Sequence, residues 1–208
     1  MKKIIAIVFA AVLASAAFAE NTFHLGLYAP ISKFDIDDND VASVGVGGTL
    51  DYTHVFDNGF TLKVGFDAGF VRSDIVKTSY RKDEAINGVD FALGVGVGGS
   101  FLHNDRFTLS LLCDFGYRMQ IGYVKEEYLL WRDLETVSAT FVFSVGPELV
   151  FTFRFNNHIG LFISENVLLD LGATAFRIEN NGKELYKSDA LRTVGITTTP
   201  KIGLAITL

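Results

Sequence analysis

The chain has 208 residues, enough for one domain with a substantial core. Acidic side chains outnumber basic ones by 24 to 18, a formal charge of −6 that argues against a nucleic-acid partner. Hydrophobic residues make up 49% of the chain, yet past Leu13 no apolar run reaches the ~20 residues of a spanning helix. The apolar residues are therefore dispersed, and the manner of their dispersal decides the fold class.

The first predicted element is an export signal. Lys2 and Lys3 precede an apolar stretch from Ile4 to Leu13, and Ala17-Phe18-Ala19 ends it with the small-x-small pattern of a cleavage site. Residues 1–19 are thus expected to be removed, leaving 20–208 as one domain. Loss of Lys2 and Lys3 reduces 18 basic residues to 16 against 24 acidic ones, so −6 becomes −8. Cys113 is the single cysteine, so an exported form has no internal disulfide.

A period-two alternation of apolar with polar or small residues then recurs eight times, which predicts eight strands. They cover residues 23–28, 44–52, 60–70, 89–101, 107–118, 137–151, a weaker 159–163, and 194–208. Asp57-Asn58-Gly59, His103-Asn104-Asp105 and Asn156-Asn157 read as hairpin turns. The other four connections, 30–40, 73–87, 124–134 and 165–191, read as long polar loops. Short turns at one end and long loops at the other describe an antiparallel up-and-down meander with both termini at the short-turn end. Such a meander closes into a barrel, which removes its edges. Pro147 and Pro200 fall inside predicted strands and are expected to produce local bulges.

Two closed barrels fit this pattern. A soluble carrier of lipocalin type turns the apolar register inward around a ligand, and a membrane barrel turns it outward. The apolar register of the seven clear strands is free of charge. The opposite register carries Asp51, Lys63, Asp67, Asp90, Asp114, Arg118, Glu148 and Lys201 among many glycines. A charge facing lipid at the bilayer midplane costs roughly 2–4 kcal/mol for Lys or Arg, and glycine-rich strands are poor solvent-facing strands. Phe56, Phe60, Phe101, Phe107, Phe153 and Phe155 bracket the three turns, with Phe70, Tyr117 and Tyr123 at the far ends, as in two interfacial girdles. On this orientation Leu62→Arg is expected to hinder insertion more than Lys63→Leu.

With these features the chain resembles the small eight-stranded outer-membrane β-barrels of the OmpX, OmpW and OmpA-barrel type, in pattern and not by a diagnostic motif. Members commonly end the last strand in an aromatic residue. Here Ile202, Leu204, Ile206 and Leu208 keep the alternation but end without one. The resemblance implies an outer-membrane location, outer-membrane lipid and the barrel-assembly machinery as partners, and a monomer. It also implies a rival role, a channel or transporter of small apolar solutes with lateral exit.

The inward charges read as an ionic network that plugs the lumen, since charges removed from water need partners. Asp67, Asp114, Glu148 and Lys201 fall at one level, within reach of Lys63 and Arg118. Eight strands leave an interior about filled by side chains. His24, His54, His103 and His158 all map to the short-turn half, which leaves no histidine for a nucleophile pair at the outer rim, so no enzyme activity is expected. Residues 35–40 are acidic but lack the glycine and the glutamate of a calcium loop. No cofactor or metal pattern stands out. Tyr128 and Trp131 in the third long loop are the candidates for binding an extracellular ligand, because loops on a rigid scaffold carry recognition.

Overall fold

Three asparagines set the short turns. The Asn58 Oδ1 accepts from the Phe60 amide at 2.9 Å. The Asn104 Oδ1 accepts from the Arg106 and Phe107 amides, and the Asn156 Oδ1 from those of His158 and Ile159, at 2.8–2.9 Å. Short side-chain amides mimic a backbone turn in this way. Gly59 adopts φ +81°, a left-handed conformation that suits glycine, while its amide donates to the Phe56 carbonyl at 2.8 Å.

The computed structural model describes residues 20–36, 39–74, 86–128, 132–179, 185–187 and 191–208. The predicted signal segment, 1–19, lies outside them, as do Trp131, Leu129 and Leu130. Ten strand segments follow in order: β1 (Glu20–Tyr28), β2 (Ile31–Ile36), β3 (Asn39–Val55), β4 (Phe60–Asp74), β5 (Ile86–His103), β6 (Phe107–Tyr128), β7 (Arg132–Arg154), β8 (Ile159–Glu179), β9 (Leu185–Lys187) and β10 (Leu191–Thr207). Each pairs antiparallel with its neighbour, and β10 pairs with both β8 and β1 to close the ring. β1 and β2 form one wall strand, because Tyr28↔Lys201 and Ile31↔Thr198 share a register on β10. The short β9 pairs antiparallel with the end of β8, next in line to β10, which meets β8 at Leu191↔Ala173. The wall therefore has eight strands, in the predicted up-and-down order.

Four predicted long loops are corrected. The first, 30–40, is mostly strand: β2 pairs with β3 as far as Ile36↔Asn39, and Asp35 lies opposite Asp40. Asp37 and Asp38 lie outside the described residues. In the second, β4 continues to Asp74 and β5 starts at Ile86. In the third, β6 and β7 pair up to Tyr128↔Arg132. In the fourth, β8 continues to Glu179. The physical reason is common to all. Past the lipid no face of the strand needs to be apolar, so the alternation fades while backbone pairing continues.

Neither proline creates a bulge, against expectation. Register runs straight through Cys113↔Pro147 and Pro200↔Glu165. The donors lost at Pro147 and Pro200 are absorbed differently. Gly146 and Pro147 leave a two-residue gap in pairing with β8, and Pro200 stands opposite the break between β1 and β2, where its carbonyl accepts from the Ala29 amide at 3.1 Å. The register shifts fall elsewhere, at Phe101 of β5, between Val142 and Ser144 in the β7–β8 ladder, and between Leu191 and Val194 in the β8–β10 ladder.

Candidate functional site: the filled lumen

Alternation decides which side chains reach the interior. In β8 the residues Phe162, Ser164, Asn166, Leu168 and Asp170 are buried, while Leu161, Ile163, Val167 and Leu169 between them are exposed. The same split holds around the ring. Asp51, Lys63, Asp67, Asp90, Asp114, Arg118, Glu148 and Lys201 are all buried inside the barrel, and Phe66, Phe70, Leu93, Phe115 and Leu204 face outward. Cys113 also faces outward. This orientation excludes the soluble carrier, whose apolar side chains would line a cavity.

The inward polar groups form three tiers. In the middle tier Lys63 binds Asp114 at 2.8 Å and also Glu148. Lys201 binds Asp67 at 2.9 Å and Asp51 at 3.3 Å, and reaches the Thr49 hydroxyl at 3.2 Å. Two ammonium groups thus hold four carboxylates. Gly65 and Gly96 make this possible, because a Cβ at either would collide with the Asp51 or Asp114 carboxylate. The lumen glycines are the room the charges occupy.

The tier toward the long hairpins holds the remaining two predicted residues. Arg118 does not join the middle tier, as its spacing suggested. Its guanidinium stands 3.4 Å from Asp90, which also accepts from the Tyr28 hydroxyl at 3.0 Å. Arg118 donates to the Ser32 hydroxyl at 3.3 Å, the Ser32 and Thr197 hydroxyls lie 2.8 Å apart, and Thr197 donates to Asp170 at 2.7 Å. Ser144 donates to the other Asp170 oxygen. At the short-turn mouth, Arg154 binds Glu20 and Thr108 and donates to the Asn104 carbonyl at 2.7 Å.

Tyr28, Asp170, Arg154 and Glu20 were not among the predicted site residues. Asp170 was hidden because the alternation of 159–163 was not followed past Glu165. Arg154 continues the parity of Glu148 and was legible there. The four histidines lie in the short-turn half. His24 bonds Thr152 at 3.2 Å, His54 bonds Asn21 at 2.9 Å, His158 bonds the Thr207 carbonyl at 3.2 Å, and His103 stands 3.7 Å from Glu20. Tyr128 ends β6, but its side chain lies outside the description, as does all of Trp131.

Between the tiers a cavity of about 30 Å³ remains, bounded by Asp67, Asp114, Arg118, Ser144, Asn166 and Lys201. That is room for about one water molecule. Aromatic rings circle the short-turn end, where Phe107–Phe153 and Phe153–Phe155 are each 5.3 Å apart and Phe56–Phe60 5.5 Å. At the other end Tyr117 and Phe141 lie 6.0 Å apart, and Phe70 of β4 is exposed. The Tyr123 side chain lies outside the description. An apolar belt between aromatic rings, around a polar filled interior, is the surface of a protein embedded in a bilayer.

No protein-family profile matches the chain, and no curated protein matches it. Solved structures do. A major outer membrane protein from Thermus thermophilus aligns at a TM-score of 0.60 and 13% identity, over 91% of this chain and 99% of that one. The outer membrane protein OprG from Pseudomonas aeruginosa aligns at 0.58 and 11%, over 92% and 96%. Neisserial surface protein A aligns at 0.52 and 8%, over 88% and 96%. At such identities the likeness is one of fold, and it agrees with the outward apolar belt: the chain is a small eight-stranded β-barrel of the bacterial outer-membrane type.

Proposed function

We propose that this protein is a non-enzymatic element of the outer membrane whose lumen is plugged by its own ion pairs and which acts through the hairpins it raises above the bilayer. The observation that carries this reading is the filled interior. Lys63 and Lys201 with their four carboxylates cross the lumen at mid-height, and a second polar tier lies above them. An ion traversing this interior would have to break charge pairs already removed from water.

The hairpins supply the working surface. A tilted strand crosses the hydrocarbon in about 9–11 residues. β6, β7 and β8 have 22, 23 and 21 residues, so roughly half of each stands beyond the outer aromatic ring. Paired strands hold such an extension rigid, which favours recognition over free loop motion. Tyr128, the last residue of β6, and Trp131, which lies outside the described residues, are the first candidates for contact with an extracellular ligand. Delivery to the membrane by the barrel-assembly machinery, through the outward alternation of Ile202, Leu204, Ile206 and Leu208, belongs to the same reading.

Planar-bilayer recording of the refolded protein tests the plug. The wild type is expected to give no reproducible conductance steps, and Lys63→Ala/Glu148→Ala to give them. Steady wild-type steps would overturn the plug. A second reading, passage of a small apolar solute, rests on the pairing gap at Gly146–Pro147 beside the cavity lined by Ser144, Asn166 and Leu168. Solute uptake into vesicles by the wild type without conductance would favour it.

A further inference from the structure

The wall pairing gives the height of every outward residue. One line of paired residues leaves β4 at Val64, passes Val145 on β7 and returns through Ile196↔Lys33↔Ala42↔Asp74. The line circles the barrel once and comes back to β4 ten residues higher, from Val64 to Asp74. At about 3.3 Å per residue and a tilt near 40°, that climb is about 25 Å, or about 3 Å at each strand. Lys33 stands two strands before Asp74 on the line and so lies about 6 Å below it. Arg72 lies two residues below Asp74 on β4, about 5 Å lower. The two cations are therefore level, about 10 Å apart around the wall, with β3 between them.

That height is the upper rim of the apolar belt. The outward residues that stand there on the other strands are apolar: Val89, Ile121, Phe141, Leu171 and Val194. Lys33 and Arg72 are both exposed on the outer face, and among the described outward residues at this level they alone are charged. Among the described residues Arg72 has no ion-pair partner. The acidic positions Asp35, Asp40 and Asp74 come one outward step higher, about 5 Å further from the hydrocarbon. Between the two cations β3 presents only Ala42, which is exposed and small. The wall is therefore notched at this point, with positive charge on both sides of the notch. The anion that a bilayer offers at the edge of its hydrocarbon is the lipid phosphate.

We propose that Lys33 and Arg72 bind the phosphate group of a membrane lipid in the leaflet on the long-hairpin side. The argument for this occupant is charge complementarity at the right depth. A guanidinium offers a fork of donors to two phosphate oxygens, and an ammonium adds a point charge from the other side. Side chains of this length span half the gap between their strands, and the methyl of Ala42 leaves the space over β3 open. Directly below, Ile31, Val44 and Phe70 are exposed, so the acyl chains of the same lipid have an apolar wall to lie against. A free phosphate ion would leave that wall uncovered, which is why a lipid and not the bare ion fits the surface. The inference rests on the placement of the barrel in a bilayer. It is independent of whether the lumen conducts and of what the hairpins recognise.

Native mass spectrometry of the full mature protein, released from micelles doped with phosphatidic acid or with phosphatidylcholine, tests it by counting retained lipids. The wild type is expected to retain one phosphatidic acid in preference to phosphatidylcholine. Arg72→Gln and Lys33→Gln are each expected to weaken that binding about fivefold, and the double variant to bring it to the level of phosphatidylcholine. Arg72→Lys, which keeps the charge, retains most of it. Arg106→Gln removes an exposed cation at the short-turn end and is expected to change nothing. Heat-modifiable gel mobility shows that each variant is folded before it is measured. Equal retention of the two lipids by the wild type, a double variant that binds as the wild type does, or a loss with Arg106→Gln as large as with Arg72→Gln would each overturn the proposal. Excess inorganic phosphate is expected to leave the lipid in place, and its displacement would overturn the lipid as occupant.

Discussion

The two surfaces of a single strand, β4, carry opposite chemistries. Its outward residues, Phe60, Leu62, Val64, Phe66 and Phe70, need nothing but hydrocarbon, and each is independent of the rest. Its inward residues, Thr61, Lys63 and Asp67, are bound to other strands: Thr61 to Ser100 at 2.9 Å, Lys63 to Asp114 and Glu148, and Asp67 to Lys201. The outer face is thus a sum of separate contributions, and the inner face is a network in which one loss leaves several groups unpaired.

That contrast ranks the following substitutions. Lys63→Leu is expected to have the largest effect, about 3–5 kcal/mol, because it leaves Asp114 and Glu148 buried without a cation. Urea titration in vesicles measures it, and adding Glu148→Gln should recover part of the loss. Phe66→Arg, at mid-band on the outer face, is expected to cost about 2–4 kcal/mol in the same titration. If it exceeds Lys63→Leu, the inner face is less cooperative than described.

Tyr28→Phe comes next. It removes the donor to the buried Asp90 and is expected to cost about 1–3 kcal/mol. A value near zero would mean that Arg118 alone satisfies Asp90. Leu62→Arg is expected to be the mildest, at most about 1 kcal/mol, since Leu62 lies only two residues above the aromatic ring and the penalty falls toward the interface. This reverses the order expected from the sequence for Leu62→Arg and Lys63→Leu. Heat-modifiable gel mobility of the two variants decides it directly: the Lys63 variant should lose the compact folded band at the lower urea concentration.

The alternation of β4, β5 and β6 was legible because both faces are constrained over the same ten or so residues, lipid on one side and buried charge on the other. β8 was only half legible. Its outward register is interrupted by Glu165, and the eye stops there, although Val167, Leu169 and Leu171 resume the pattern beyond it. The upper hairpins were illegible for a different reason. Strand pairing above the membrane is a matter of backbone hydrogen bonds, which carry no side-chain signature.

The sequence by itself determined the barrel, its strand order, its inside and outside, and the eight charged residues of the lumen, because each follows from a period of two and the cost of charge in hydrocarbon. Tertiary structure decided which of those charges meet. It sent Arg118 to Asp90 and placed Lys63 between Asp114 and Glu148. It also brought Lys33 of β2 level with Arg72 of β4 on the outer wall. The reason lies in the stagger of the closed sheet: a ring of ten-residue climb fixes which residue of one strand stands level with which residue of another, and no single strand carries that information.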